Sequence, residues 1–227
     1  MGTETKRAVT STQINLGALR NPLLIGGGAA GVLGLCGALL SVGQGEDWYQ
    51  KFSASYLVSF CFFMSISLGG LFWVTAMHLT RAGWGICVRR LCEILAMMAL
   101  PMLVLFLPIL IPVVLGWNSS VYSWVNIENI THARDLVEHK AGYLNSGFFT
   151  VRSILYFVIW GLLARFYLKN SVNQDSSRDP NTTLKLQSFS APGMLLFALT
   201  VVFASFDWEM SLDPVSYTHL RAHETHE

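Results

Sequence analysis

The sequence predicts an all-α, polytopic membrane protein with about five transmembrane helices. Two observations carry that prediction. Of 227 residues, 52% are hydrophobic and only 13% are charged, against about 25% charged in an ordinary soluble domain. The charges are also segregated: Asp, Glu, Lys and Arg are absent between Arg20 and Glu46 and again from Ile94 to Ile127. About 20 consecutive apolar residues suffice to cross the hydrocarbon core of a bilayer. A net charge of +1 supplies no field for nucleic acid, so the lipid bilayer is the expected medium and nucleic acid is not an expected partner.

Residues 1–22 are polar and form an N-terminal segment containing Lys6, Arg7 and Arg20. The first apolar run, Leu23 to about Val42, reads as a retained helix rather than a signal peptide, because its leading region is long and no A-x-A site follows. Gly26, Gly28 and Gly31 match G-x-G-x-x-G. A dinucleotide site would need a preceding strand, which polar sequence replaces here. The small residues Gly27, Gly31 and Gly34 read instead as a face that a neighbouring helix approaches closely.

The second helix is expected from about Tyr56 to Leu79, with His78 at its end. A haem ligand is one reading of His78; a helix-end histidine hydrogen-bonded to a neighbour is the plainer one, since bis-histidine haem needs further in-membrane histidines. The turn RAGWGICVRR follows. The third helix is expected from about Leu91 to Leu115, kinked by Pro101, Pro108 and Pro112, each of which releases a backbone carbonyl that neighbours must satisfy. Glu93, beside Arg90, reads either as an interfacial ion pair or as a proton-handling carboxylate.

Residues 116–147 form the longest loop. Trp117, Tyr122 and Trp124 suit the headgroup layer. Ala133, Leu136, Val137 and Ala141 lie near helical spacing and predict a short surface helix. His132 and His139, seven residues apart with no cysteine nearby, make a weak metal site, and no metal is assigned. The fourth helix is expected from about Phe148 to Leu168, with Arg152 one turn inside it, an expensive position for a guanidinium. Residues 170–189 read as a polar loop. The fifth helix, about Ser190 to Phe206, ends in the acidic turn Asp207, Glu209, Asp213. Cys36, Cys61, Cys87 and Cys92 form neither CxxC nor CxxCH, which argues against a zinc ribbon, an Fe–S cluster or covalent haem in this chain; they read as small apolar residues in packed helices.

Basic residues set the expected topology. Successive polar segments carry three, one, three, two and four Lys or Arg. The alternation places the N-terminus, the 80–90 turn and the 165–189 link in the cytoplasm, and Arg152 with Asp207–Asp213 at the outer face. The last residues change character. PVSYTHLRAHET resembles the in-frame translation of a transposase mosaic-end sequencing adapter, so residues 215–227 are expected to be a non-native tail. The native transmembrane domain, counted from residue 23 to 214, is then expected to continue into further helices.

Three stretches carry a family resemblance: Met77–Glu93 (MHLTRAGWGICVRRLCE), His139–Trp160 (HKAGYLN, then FFTVRSILYFVIW) and Phe203–Pro214 (FASFDWEMSLDP). In content and order they resemble the ActF-type membrane subunit of bacterial alternative complex III, a quinol:cytochrome c oxidoreductase related to NrfD/PsrC-type subunits. The resemblance implies two four-helix bundles, the second to fifth helices here forming the first. It implies a bacterial cytoplasmic-membrane location and a scaffolding subunit that contributes part of a proton path. Quinol, Fe–S and haem c would be handled by partner subunits, namely other membrane, Fe–S and multihaem cytochrome c subunits, with no cofactor in this chain.

Carried over residue by residue, the resemblance marks His78, His139, Lys140, Tyr143 and Asn145 as motif positions. Arg152, Asp207, Trp208, Ser211 and Asp213 match its outer-face positions. Arg152 is expected to pair with Asp207 or Asp213 if the fourth and fifth helices pack together, either locking the bundle rim or serving a proton path; exposure to lipid headgroups is the third reading. No residue is assigned as catalytic. Two other functions are weighed: a membrane anchor of a molybdenum or polysulfide reductase, which resemblance to the same superfamily implies, and, of a different class, a secondary transporter, favoured only by the proline-rich third helix.

Overall fold

The computed structural model describes residues 46–117, 120–125, 139–177 and 180–212, with scattered positions between 21 and 37. Asp213, the 215–227 tail, His132 and the whole 126–138 stretch, with most of the expected surface helix, lie outside the described residues. So does most of the first apolar run, whose described positions are helical and exposed.

All long elements are helices: α1 (Glu46–Leu79), α2 (Ile86–Met97), α3 (Ala99–Leu115), α4 (Ser146–Ser177) and α5 (Pro180–Trp208). Among the described residues, four stretches are long and apolar enough to cross a membrane: Gln50–Leu79, Cys87–Leu115, Ser146–Asp175 and Pro180–Leu212. The chain thus has the architecture of a multi-pass membrane protein. The spans run alternately up and down. α1 packs on α2 and α5, and α4 packs on α2, α3 and α5, which closes a four-span bundle.

The helices exceed their expected lengths at polar ends. α1 begins ten residues before Tyr56, at Glu46. Residues 170–189, read from composition as a loop, are almost entirely helical, since α4 runs to Ser177 and α5 starts at Pro180. Proline at the first helical position sacrifices only an N–H that would have no intrahelical partner. Interhelical bonds hold this polar extension: Gln174 donates to Thr183, and Arg90 on α2 pairs with Asp175.

The expected third helix is two. The chain breaks at Met98, three residues before Pro101, whose ring crowds the carbonyl four residues back and cannot donate to it. Pro108 and Pro112 remain inside α3. Hydroxyls of α1 reach carbonyls next to those the prolines release: Tyr56 Oη donates to Leu105 O at 2.6 Å and Ser67 Oγ to Ala96 O at 3.4 Å. α1 meets α2 at Gly70, where an added Cβ would lie 2.8 Å from the Cys92 carbonyl oxygen. The close helix approach among the described residues uses Gly70. An added Cβ at Gly27, Gly31 or Gly34 would meet nothing within 4 Å among the described residues.

The bundle interior is aromatic. Trp208 packs against Phe106, Phe157, Trp160 and Phe60 with ring centroids 4.8, 5.5, 5.7 and 5.8 Å away. Large apolar residues on the outside, such as Phe62, Val104, Leu162 and Leu195, are exposed, as lipid-facing positions are. Of the cysteines only Cys92 is buried; Cys61 is half-buried, Cys36 and Cys87 are exposed, and all four are free.

Candidate functional site

Two polar clusters sit at opposite ends of the bundle. The first is assembled by the start of α4 and the end of α5. Asn145 precedes α4 and its side-chain oxygen accepts the Gly147 N–H at 2.9 Å, satisfying one of the helix's free donors as an N-cap. The turn before it is closed by the Lys140 carbonyl, which accepts from Tyr143 N and Leu144 N at 2.9 and 2.8 Å. The cap fixes where α4 begins and so places Arg152 in its second turn, facing α5.

There Arg152 forms a two-pronged pair with Asp207. Nε donates to Oδ2 and Nη2 to Oδ1, both at 2.8 Å. A planar guanidinium matches a carboxylate in this way, and the charged bonds are stronger than neutral ones. Asp207 is fully buried and Arg152 is 8% exposed. The pair has further partners. Arg152 Nη1 donates to Tyr143 O at 3.1 Å, and Tyr156 Oη donates to Asp207 Oδ2 at 2.6 Å. The rings of Tyr143 and Phe148 lie 4.0 and 4.2 Å from the guanidinium carbon, a favourable seat for a cation. Partial burial, then the neighbouring Asp207 carboxylate, hold the Tyr143 phenol above its ordinary range.

The 120–125 segment folds over this end. Tyr122 and Trp124 are buried at 1% and 3% exposure, not placed in a headgroup layer as expected; Trp117 alone of the three is exposed. Tyr122 Oη donates to Trp208 O at 3.1 Å, and both rings pack on Phe149. Trp208 Nε1 donates to Ser153 Oγ at 3.2 Å, while Ser211 Oγ donates to Asp207 O. The two motif stretches that flank α4 and end α5 therefore converge in one hydrogen-bonded unit. His139 stands apart from it, exposed.

The second cluster joins the end of α1, the start of α2 and the end of α4. Glu93 is fully buried. Arg90 Nη1 donates to its Oε2 at 3.0 Å, and Arg89 Nε lies 3.5 Å from Oε1. Ser171 lies beside the carboxylate, yet neither its hydroxyl nor Glu93 Oε1 completes a hydrogen bond of good geometry. His78 is buried and stacked on Tyr167, with centroids 5.5 Å apart and planes 12° from parallel. Among the described residues its Nε2 has no hydrogen-bond partner, nor does Gln174 Oε1. Along α4, Arg152 and Ser171 are 19 residues apart, about 28 Å at 1.5 Å per residue, close to the thickness of a hydrocarbon core.

Among the described residues, no group of three or more His, Cys, Asp or Glu is placed to hold a metal ion. The members that sequence reasoning missed are Tyr156, Tyr122, Ser171 and Tyr167. Each is an aromatic or hydroxyl residue inside an apolar or loop stretch, with only helical spacing from a charged residue to mark it: Tyr156 follows Arg152 by four. No family profile matches the chain, and no curated protein matches it.

Proposed function

We propose that the chain is an integral-membrane subunit of a bacterial respiratory quinol:cytochrome c oxidoreductase of the alternative complex III type. It acts as a scaffold, with the redox cofactors on partner Fe–S, multihaem cytochrome c and membrane subunits. One observation carries the proposal. Residues of two separate family-like stretches, Tyr143 and Arg152 in one, positioned by the Asn145 cap, and Asp207, Trp208 and Ser211 in the other, build a single lock around a buried ion pair at one end of the bundle. A buried ion pair in which each side-chain nitrogen and oxygen has a partner fixes the relation of two helices. That suits a rim on which other subunits assemble. The described four-span bundle would be the first of two, with the chain's N-terminal segment and the Glu93 end in the cytoplasm and Arg152 at the outer face.

A specific observation supports a second role, a share in a proton path. Unfilled polar atoms of His78, Glu93, Ser171 and Gln174 gather at the other end. Buried polar atoms of this kind are usually bridged by water, and a hydrated histidine–glutamate cluster can exchange protons.

The test is to tag the full chain in its native membrane, purify it gently, and measure bound haem c, Fe–S signals and quinol:cytochrome c turnover. The proposal expects all three to co-purify and turnover to vanish from membranes lacking the chain. Co-purification of a molybdenum cofactor with polysulfide-type reductase activity would point to the anchor reading. Solute uptake by the purified chain alone would point to the transporter.

A further inference from the structure

A half-open groove of about 180 Å³ runs along the flank between α1 and α5. Cys61 and Ser65 line it from α1, and Val201, Ser205, Trp208 and Glu209 from α5 and its end. Its walls present apolar surface, because the two serine hydroxyls are turned back on their own helices: Ser65 Oγ donates to Phe62 O at 2.7 Å and Ser205 Oγ to Val202 O at 2.8 Å. The groove opens on the lipid-facing side, where Phe62 is 62% and Phe206 42% exposed. From Glu209 to Val201 is eight residues, so it reaches about 12 Å inward from the end of α5.

Glu209 breaks the apolar pattern at the mouth. It is exposed and lies beside the Cys61 thiol, and no basic side chain pairs with it among the described residues. A carboxylate at the membrane edge above an apolar slot complements an amphiphile with a cationic head and an apolar tail. It repels an anionic head group, and a neutral quinone head would leave it without a counter-charge.

We infer that this groove seats one acyl chain of a phospholipid whose head group carries a primary amine, the ammonium pairing with Glu209. The lipid covers a strip of bundle surface where α1 and α5 leave space, and its head group supplies the counter-charge that the described residues do not.

The full chain, extracted in mild detergent, is to be exposed to an equal mixture of phosphatidylethanolamine and phosphatidylglycerol with identical acyl chains, and read by native mass spectrometry. The ethanolamine lipid is expected to be retained over the glycerol lipid by about threefold, the scale of an exposed ion pair. Glu209→Gln should bring the ratio to about one, and Glu209→Lys should invert it, a gain that misfolding does not mimic. Ser205→Phe, which fills the groove, should lower retention of both. Equal retention by the unaltered chain, or a ratio unmoved by Glu209→Lys, overturns the inference. So does a chain isolated with a partner helix and no retained lipid, which would make the groove a protein contact.

Discussion

Arg152 and Asp207 lie 55 residues apart in sequence and meet through two parallel 2.8 Å hydrogen bonds. Because both side chains are buried, each charge depends on the other for its balance, and removing the carboxylate leaves a buried guanidinium unpaired. Asp207→Asn should therefore lower the unfolding free energy by about 3–5 kcal/mol, the range for removing one partner of a buried pair. The double replacement Arg152→Leu/Asp207→Leu should be markedly less destabilising than Asp207→Asn, since it leaves no orphaned charge. Unfolding titrations in lipid–detergent micelles would measure both.

Tyr156 is the third member of the unit. Tyr156→Phe keeps the ring among its aromatic neighbours and removes only the 2.6 Å bond to Asp207. The expected loss is about 1.5–3 kcal/mol, the scale of a hydrogen bond to a charged group. If the same titration shows no change, the phenol does not support the pair.

The two halves of the lock differed in how plainly the sequence displayed them. Arg152 and Asp207 stand out because a charge in or at the edge of an apolar run has few reasons to be there. Tyr156 does not, because a tyrosine four residues further along an apolar helix reads equally well as a lipid-facing ring. Tyr122 and Trp124 resembled interface anchors by composition, and only the fold-back of their segment buries them. The polar 170–189 stretch is dominated by Asn, Ser, Asp and Thr, which are weak helix formers; its helicity rests on partners such as Arg90 and Thr183, invisible from local sequence. Conversely, the alternation of apolar runs and basic segments displayed the four described spans, though not the Met98 break, which Pro101 imposes one turn before itself.

Asn145 earns its place in the motif through the cap. Asn145→Ala should cost about 1 kcal/mol, and Asn145→Ser should restore most of it, because serine also caps well. Hydrogen exchange at the first turn of α4 would rise in the alanine variant alone.

Gly70 marks the tightest helix contact. Gly70→Ala puts a methyl 2.8 Å from both the Cys92 carbonyl oxygen and Leu95 Cβ, so α1 and α2 must separate. A loss of about 1–3 kcal/mol is expected for overpacking. Gly83→Ala, with open space around it, should be close to neutral; unfolding titrations of the two variants would measure the difference.

The most direct test of the scaffold reading is Arg152→Ala in the respiratory complex proposed for this chain. Assembled complex is quantified on native gels, and quinol:cytochrome c turnover is measured per assembled complex. A rim lock predicts that assembly falls severalfold while turnover per surviving complex stays near that of the unaltered protein. Normal assembly with low turnover would contradict it and place Arg152 in the chemistry instead.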